Sequence, residues 1–134
     1  MDNRIEKYKD STGNVLALVI KSEYSNDGIT FFTQDNDNMQ VAYMGHHTGH
    51  SIIPHYHNNI PRIINYTCET LIIRKGVLEV NLYENQVLIH TFSIKKNDVL
   101  TLFGGGHGFV VIEDVEMIEI KQGPFLGPKD KTRF

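Results

Sequence analysis

Short apolar stretches recur along the whole chain, and turn residues bound each of them. Many alternate apolar with polar positions or are rich in β-branched residues, the pattern of half-buried or buried strands. The predicted strands cover residues 15–20, 29–33, 39–44, 51–56, 67–74, 77–83, 87–94, 99–103, 109–112 and 115–121. Residues 1–10 are compatible with a short helix, and no other window has a helical period. Ten short strands at close spacing favour an all-β sandwich or barrel.

Turn residues divide the predicted strands. Lys75-Gly76 separates two of them directly and predicts a β-hairpin turn. Glu84-Asn85-Gln86 predicts another turn, and Gly104-Gly105-Gly106 interrupts regular structure. With no repeat or linker, we expect one domain over residues 1–134, with N-terminal strands in 1–38, a core in about 39–121 and a tail in 122–134.

Composition excludes several classes of function. The net charge is −3 and no long basic run is present, which argues against a nucleic-acid partner. The single cysteine, Cys68, excludes an intrachain disulfide and a thiolate metal cluster, and we expect it to be a buried, inert thiol. The first 14 residues lack a signal-peptide core, and the longest apolar run, 15–20, is far shorter than the roughly 20 residues of a membrane span. We therefore expect a soluble, cytoplasmic protein without a membrane partner.

Three of the seven histidines lie in the stretch GHSIIPHYH, residues 49–57. His55 and His57 are two residues apart, so on a strand both imidazoles project from the same face. Imidazole binds Zn, Fe, Ni and Cu well. A histidine pair alone is more often solvated than metal-bound, so a metal site needs further ligands.

Two later features supply such ligands. Glu69 and Gly76 form an E-x6-G pattern, and His107 follows three glycines in NDVLTLFGGGHGF. Together with Gly49, His55 and His57 in G-x5-H-x-H, these patterns resemble the two motifs of the cupin superfamily, over about residues 40–120. The resemblance implies a double-stranded β-helix, the cupin jelly-roll barrel. It also implies that His55, His57, Glu69 and His107 bind one divalent transition metal ion (Fe, Mn, Ni, Co or Zn).

The chain departs from the cupin motifs at several positions. Eleven residues separate His57 from Glu69, where the motif has three or four. A one-residue shift in register would turn Glu69 outward. In the second motif Asn97 replaces a glycine, Phe103 replaces a proline, and the final asparagine is absent.

Residues near the motifs are candidate substrate contacts. Arg62 could bind a carboxylate or phosphate in bidentate fashion, although a solvated arginine is the commoner case. His50 and Tyr43 could line a cavity mouth. Exposed loop positions are the favoured interpretation for His46, His47 and His50, and we expect His90 to be structural or exposed.

The implied site is compatible with several activities, and no catalytic residue is assigned. The first is a metal-dependent isomerase or dioxygenase-type enzyme for a small polar substrate. The alternatives are a non-catalytic small-molecule or sugar-binding protein, and a metal-free nucleotide-sugar isomerase or epimerase with a histidine base and Tyr43 or Tyr66 as partner. Apolar strand faces and tail aromatics suggest a homodimer.

Overall fold

A computed structural model describes residues 2–134 of the chain. These residues form eight β-strands and one short 3₁₀ helix, so that 48% of the chain is strand and 2% helical. The elements are β1 (Ile5–Lys9), β2 (Val15–Ile20), β3 (Gly28–Phe31), β4 (Ala42–Gly45), β5 (Glu69–Glu84), β6 (Val87–Lys95), β7 (Val99–Leu102), β8 (Gly106–Lys121) and the 3₁₀ helix Gly127–Lys129. The prediction of an all-β fold is confirmed.

The chain divides into two compact units. The first unit consists of the described residues up to Tyr24 together with Tyr66–Phe134, and the second unit is Ser25–Asn65. The first unit contains one antiparallel sheet in the order β1-β2-β7-β5-β6, with β8 also paired to β5. This sheet is strongly curled into a half-barrel, a form compatible with a jelly roll.

Strand β5 organises the curled sheet. Its first residues, Glu69–Ile72, pair with β7, and its later residues, Val77–Glu84, pair with β6. Strand β8 follows β5 along almost its full length. One long strand therefore belongs to two different parts of the sheet, which requires the sheet to bend in the middle of β5.

The predicted hairpin at Lys75-Gly76 is wrong, because β5 continues through it as one strand. The β5–β8 pairing changes register three times between Ile73 and Leu78, which marks bulges. Gly76 has a φ of +83°, and a Cβ there would collide with the backbone oxygen of Asp114. The glycine thus permits a close approach of two strands at a bend, rather than the reversal of a hairpin.

A continuous apolar core lies inside the first unit. The middle of β2 is buried at four successive positions, as expected for a strand covered on both faces. Leu78, Val80 and Leu82 of β5 are fully buried, as are Leu100 of β7 and Ala17 of β2. Cys68 is 2% exposed, which confirms the predicted buried thiol.

Asp98 fixes the turn between β6 and β7 from inside the core. Its carboxylate is fully buried and accepts hydrogen bonds from the backbone N–H groups of Ser22 (2.8 Å) and Lys95 (2.9 Å). The preceding Asn97 has a φ of 70°, a left-handed conformation that asparagine tolerates. The buried acid therefore satisfies two backbone donors that would otherwise be unpaired.

The second unit contains one two-stranded ribbon, β3 paired with β4. Residues 46–65, which follow it, have no regular secondary structure, so the predicted strand at 51–56 is wrong. Pro54 lacks a backbone donor, and Ile53 and Tyr56 are 81% and 86% exposed. Residues 51–56 pair with neither β3 nor β4, and apolar alternation alone does not produce a strand.

Two further predictions need correction. Residues 1–10 contain the strand β1 rather than a helix, because Ile5–Lys9 pairs with β2. The predicted strands at 109–112 and 115–121 are one strand, β8. Among residues 2–134, no helix has both the length and the apolar character needed to cross a membrane.

Candidate functional site

Glu69 and His107 meet in the first unit. Glu69 is the first residue of β5 and His107 is the second residue of β8. Glu69 Oε2 lies 3.4 Å from His107 Nε2, and the two side chains are 12% and 30% exposed. Two of the four predicted metal ligands therefore form a partly buried carboxylate–imidazole pair, which we call the Glu69–His107 pair.

The surroundings of Glu69 favour its charged form. The His107 imidazole lowers the pKa of the Glu69 carboxyl, and this effect outweighs the opposing effect of burial. Lys121 and Lys131 lower the pKa further, and Lys121 is the direct cross-strand partner of Glu69. An ionised carboxylate can accept hydrogen bonds, bind a metal ion or act as a base.

The C-terminal tail packs beside the strand that carries His107. The Phe134 ring stands edge-on to the Tyr83 ring, at 5.2 Å between centroids. A Cβ on Gly106 would lie 2.8 Å from the Phe134 ring, so the ring packs directly over this glycine and would have to move if the residue were larger. Thr67 donates a hydrogen bond of 3.0 Å to Asp130, which attaches the tail at a second point. Lys131 is thereby held in the part of the first unit that contains Glu69.

His55 and His57 are adjacent in the second unit. Their ring centroids are 5.6 Å apart and their ring planes are inclined at 73°. His55 Nδ1 lies 2.8 Å from the Ile53 carbonyl oxygen. A carbonyl only accepts hydrogen bonds, so Nδ1 must be the donor and Nε2 of the neutral ring keeps its lone pair. The two imidazoles are neighbours on an irregular segment, whereas the sequence predicted that they project from one face of a strand.

The four predicted ligands thus fall into two pairs, one in each unit. Neither unit, in the residues from 2 to 134, gathers three or more His, Cys, Asp or Glu side chains in a cluster able to hold a metal ion. The four-ligand centre stays a prediction.

The candidate substrate contacts lie in the second unit. His50 stacks on His46 with ring centroids 4.1 Å apart and planes 6° from parallel. Arg62 Nη1 donates to the Ile60 carbonyl oxygen over 3.4 Å, a contact that leaves the guanidinium exposed. Tyr43 is half-buried in β4, opposite Thr30. The loop histidines 46, 47 and 50 are exposed, as expected.

Sequence reasoning did not place Lys121 or Lys131 beside Glu69. Lys121 reaches Glu69 through the pairing of β5 with β8, and the two residues are far apart in sequence. Lys131 reaches it through the folding of the tail. No local pattern indicates either contact, because both depend on long-range register.

His90 has a structural role, as predicted. Its Nε2 donates to the Lys9 carbonyl oxygen over 2.7 Å, and its ring stands edge-on to Tyr8. It therefore joins β6 to the end of β1 and is not part of the site.

No protein-family model, curated protein or solved structure matches this chain. The geometry of its own residues is therefore the basis for a functional proposal.

Proposed function

We propose that the chain binds one divalent transition metal ion (Fe, Mn, Ni, Co or Zn) through His55, His57, Glu69 and His107. The observation that carries the proposal is the Glu69–His107 pair, in which Oε2 and Nε2 point at each other across 3.4 Å. These two residues are 38 positions apart in sequence (107 − 69) and belong to different motifs. Their approach was expected from the cupin resemblance.

The separation fits two ligands of one ion. Oxygen and nitrogen ligands lie about 2.0–2.2 Å from zinc, so two ligand atoms at a tetrahedral angle are about 3.3–3.6 Å apart. The Oε2–Nε2 distance of 3.4 Å falls in this range, whereas it is long for a hydrogen bond. The pair therefore needs little movement to serve as two neighbouring ligands.

The orientation of His55 also supports metal binding. Metal-ligating histidines commonly donate their second ring N–H to a carbonyl or carboxylate, which fixes the tautomer. His55 makes such a bond from Nδ1 to the Ile53 carbonyl oxygen. Its Nε2 is thus prepared to bind a cation, and His57 is its immediate neighbour.

A bound ion of this kind would polarise a hydroxy-acid, keto or enediol group as a Lewis acid, or support oxygen chemistry if it is iron. We therefore propose an isomerase or dioxygenase-type activity on a small polar substrate. His50, Arg62 and Tyr43 are the proposed substrate contacts. Arg62 suits a carboxylate or phosphate on that substrate, because its guanidinium offers two parallel donors.

Elemental analysis of the untagged protein, quantified per chain, tests the proposal. We expect about one transition metal ion per chain in the wild type and a loss of most of it in Glu69→Gln, His107→Ala and His55→Ala. His47→Ala is the matched control, because His47 is 89% exposed and outside the ligand set. A wild type that holds no metal as purified and takes none up on reconstitution would refute the proposal.

A metal-free function is the second candidate. The Glu69 carboxylate, held charged beside His107, can orient the imidazole as a general base for isomerisation or epimerisation of a nucleotide sugar. This function requires activity, or protection from unfolding by nucleotide sugars, in protein from which chelators have removed all metal. Loss of both on chelation would exclude it.

We also infer a cytoplasmic location. The lone thiol of Cys68 is buried and unable to form an intrachain disulfide, which fits a reducing compartment. Cell fractionation with detection of the untagged chain tests this inference.

A further inference from the structure

Lys121 stands beside Glu69 on the core side of the curled sheet. The two residues are direct partners in the β5–β8 ladder, so their side chains project from the same face. The next residues of β5 on that face are Leu71 and Ile73, which are buried and belong to the apolar core. Lys121 is therefore directed towards the side of the sheet on which the core lies.

The core side of β8 becomes more polar towards this end of the ladder. Every second residue along this face is less apolar than the one before it, in the order Met117, Glu119, Lys121. Met117 lies opposite the buried Ile73, whereas Lys121 lies opposite Glu69. Small-molecule sites commonly combine an apolar surface with a few charged groups that fix the orientation of the ligand. The end of the ladder at Glu69 has this composition.

The Lys121 ammonium group has no close carboxylate partner. The side chain is only 27% exposed, and within residues 2–134 the one carboxylate oxygen that comes within 4.0 Å of Nζ is Oε1 of Glu119, at that limit. Lysines are seldom buried to this degree unless they are paired. A charge-assisted hydrogen bond to a carboxylate is much shorter, about 2.7–2.9 Å. The ammonium group can therefore donate to a further anionic oxygen.

The C-terminal tail brings a second lysine to the start of β5. Gln122 Oε1 accepts a hydrogen bond of 2.7 Å from the Cys68 N–H group, and Thr67 donates one of 3.0 Å to Asp130. Both anchors involve the two residues that directly precede β5. The two ends of the segment 122–130 are thus held at one place, and Lys131 follows Asp130 directly.

The two lysines act on Glu69 from a distance. Both lower the pKa of its carboxyl, so both ammonium groups lie near it. Among residues 2–134, however, the partner of Glu69 within the 4.0 Å limit of an ion pair is His107. The lysines therefore favour the charged carboxylate without being held in a close ion pair with it.

A metal ion at Glu69 would leave an excess of positive charge here. In the proposed function a divalent ion binds this carboxylate. The ion and the two ammonium groups then carry one positive charge more than the three carboxylates of the region, which are those of Glu69, Glu119 and Asp130. An excess of positive charge at the edge of an apolar surface attracts an anionic ligand.

From these observations we propose that Lys121 and Lys131 bind the carboxylate or phosphate group of a small substrate beside the Glu69–His107 pair. The proposal rests on the proposed function for the reaction at this pair and adds the chemical class of the substrate. An ammonium group suits either anion, because it offers three donors that rotate on a flexible stem. Both lysines lie in the same unit as the pair, whereas the substrate contacts proposed above lie in the other unit.

Calorimetric titration with two probes, glycolate and inorganic phosphate, tests the proposal. The protein is loaded with zinc and freed of excess zinc, and the zinc content per chain is measured for every variant. We expect the wild type to bind an anion, with affinity roughly tenfold weaker in Lys121→Met and in Lys131→Met and with zinc content unchanged. Methionine keeps an unbranched apolar stem and removes the charge. The probe that binds more tightly identifies the group that the lysines accept.

Two further variants serve as controls. Lys129→Met is matched to Lys131→Met, because Lys129 is exposed and lies two residues away on the same tail; it should bind the anion like the wild type. Lys121→Arg keeps the charge and should retain most of the affinity. Lys131→Met keeps the test valid if Lys121→Met does not fold, since Lys131 is exposed.

The outcomes for the anion and for the metal are distinguishable. A zinc-loaded wild type that binds neither probe would overturn the anion subsite and leave the metal site intact. Equal anion affinity in the wild type and both lysine variants would overturn the subsite too, because the ion alone would then hold the anion. If the wild type takes up no zinc, the proposed function fails. Lysine-dependent anion binding in that protein would still support the subsite, and its absence would overturn the subsite as well.

Discussion

Glu69 and His107 make contact although they lie near opposite ends of the β5–β8 ladder. Glu69 pairs with Lys121 at one end, and His107 pairs with Leu82 towards the other. Leu82 is 13 residues beyond Glu69 on the same strand (82 − 69), a span of about 43 Å if the strand were straight. The 3.4 Å contact between the two side chains thus depends on the bend of β5, and Gly76 lies at the irregular middle of that strand, against the backbone of Asp114.

Gly76→Ala should therefore destabilise the first unit. The substitution adds the strain of a φ of +83° and a collision between Cβ and the Asp114 backbone oxygen. We expect a loss of about 2–4 kcal/mol in the free energy of unfolding, measured by urea denaturation. Gly13→Ala is the matched control, because Gly13 has a φ of +90° but nothing within 4 Å of its Cβ position. An equal loss in both variants would show that the approach of Asp114 does not matter.

Asp98→Ala should destabilise the core from the turn between β6 and β7. It removes the acceptor of two backbone N–H groups, those of Ser22 and Lys95, at a fully buried position. Each buried donor left without a partner costs about 1–3 kcal/mol, so we expect a loss of at least about 2 kcal/mol in urea unfolding. Asp98→Asn keeps one acceptor oxygen and should recover part of that loss. No recovery would mean that Asp98 acts through its charge rather than through these bonds.

Local patterns in the sequence were sufficient to predict a strand that is buried along its whole length and a short turn. The strand Val15–Ile20 was predicted with its observed bounds, since its apolar run is buried on both faces. The turn at Glu84-Asn85-Gln86 was also predicted, and Asn85 and Gln86 adopt positive φ values of 50° and 64° there. Both features are encoded within a few neighbouring residues.

Features that depend on pairing between residues far apart in sequence could not be predicted from local patterns. Lys75-Gly76 has the local chemistry of a hairpin, and only the long-range pairing of β5 with β8 shows that it is a bend within one strand. The segment 51–56 has strand-like alternation, but it has no partner strand in its own unit. The contact of Glu69 with His107 was expected only through a family resemblance, whereas the position of Lys121 beside Glu69 follows from the β5–β8 register.

The Asp10 carboxylate accepts hydrogen bonds from Thr12 and Asn14 in the turn between β1 and β2. This turn should make the free energy of unfolding depend on pH. Partial desolvation raises the pKa of Asp10, but hydrogen bonds from Thr12 and Asn14 outweigh it and lower the pKa below its ordinary value. A lowered folded-state pKa stabilises the fold above the unfolded value of about 3.9, and this contribution is lost as the pH falls through the folded value. We expect the stability difference between wild type and Asp10→Ala to shrink below about pH 4. A difference that is constant between neutral and acidic pH would contradict this expectation.

Phe134→Ala should loosen the C-terminal tail. The Phe134 ring contacts Tyr83 and occupies the space above Gly106, but it is 63% exposed. The loss of stability should therefore be small, about 0.5–1.5 kcal/mol, while proteolysis of the tail becomes faster. Phe125→Ala is the control, because Phe125 is 84% exposed. Equal proteolysis rates in the two variants would show that Phe134 does not hold the tail.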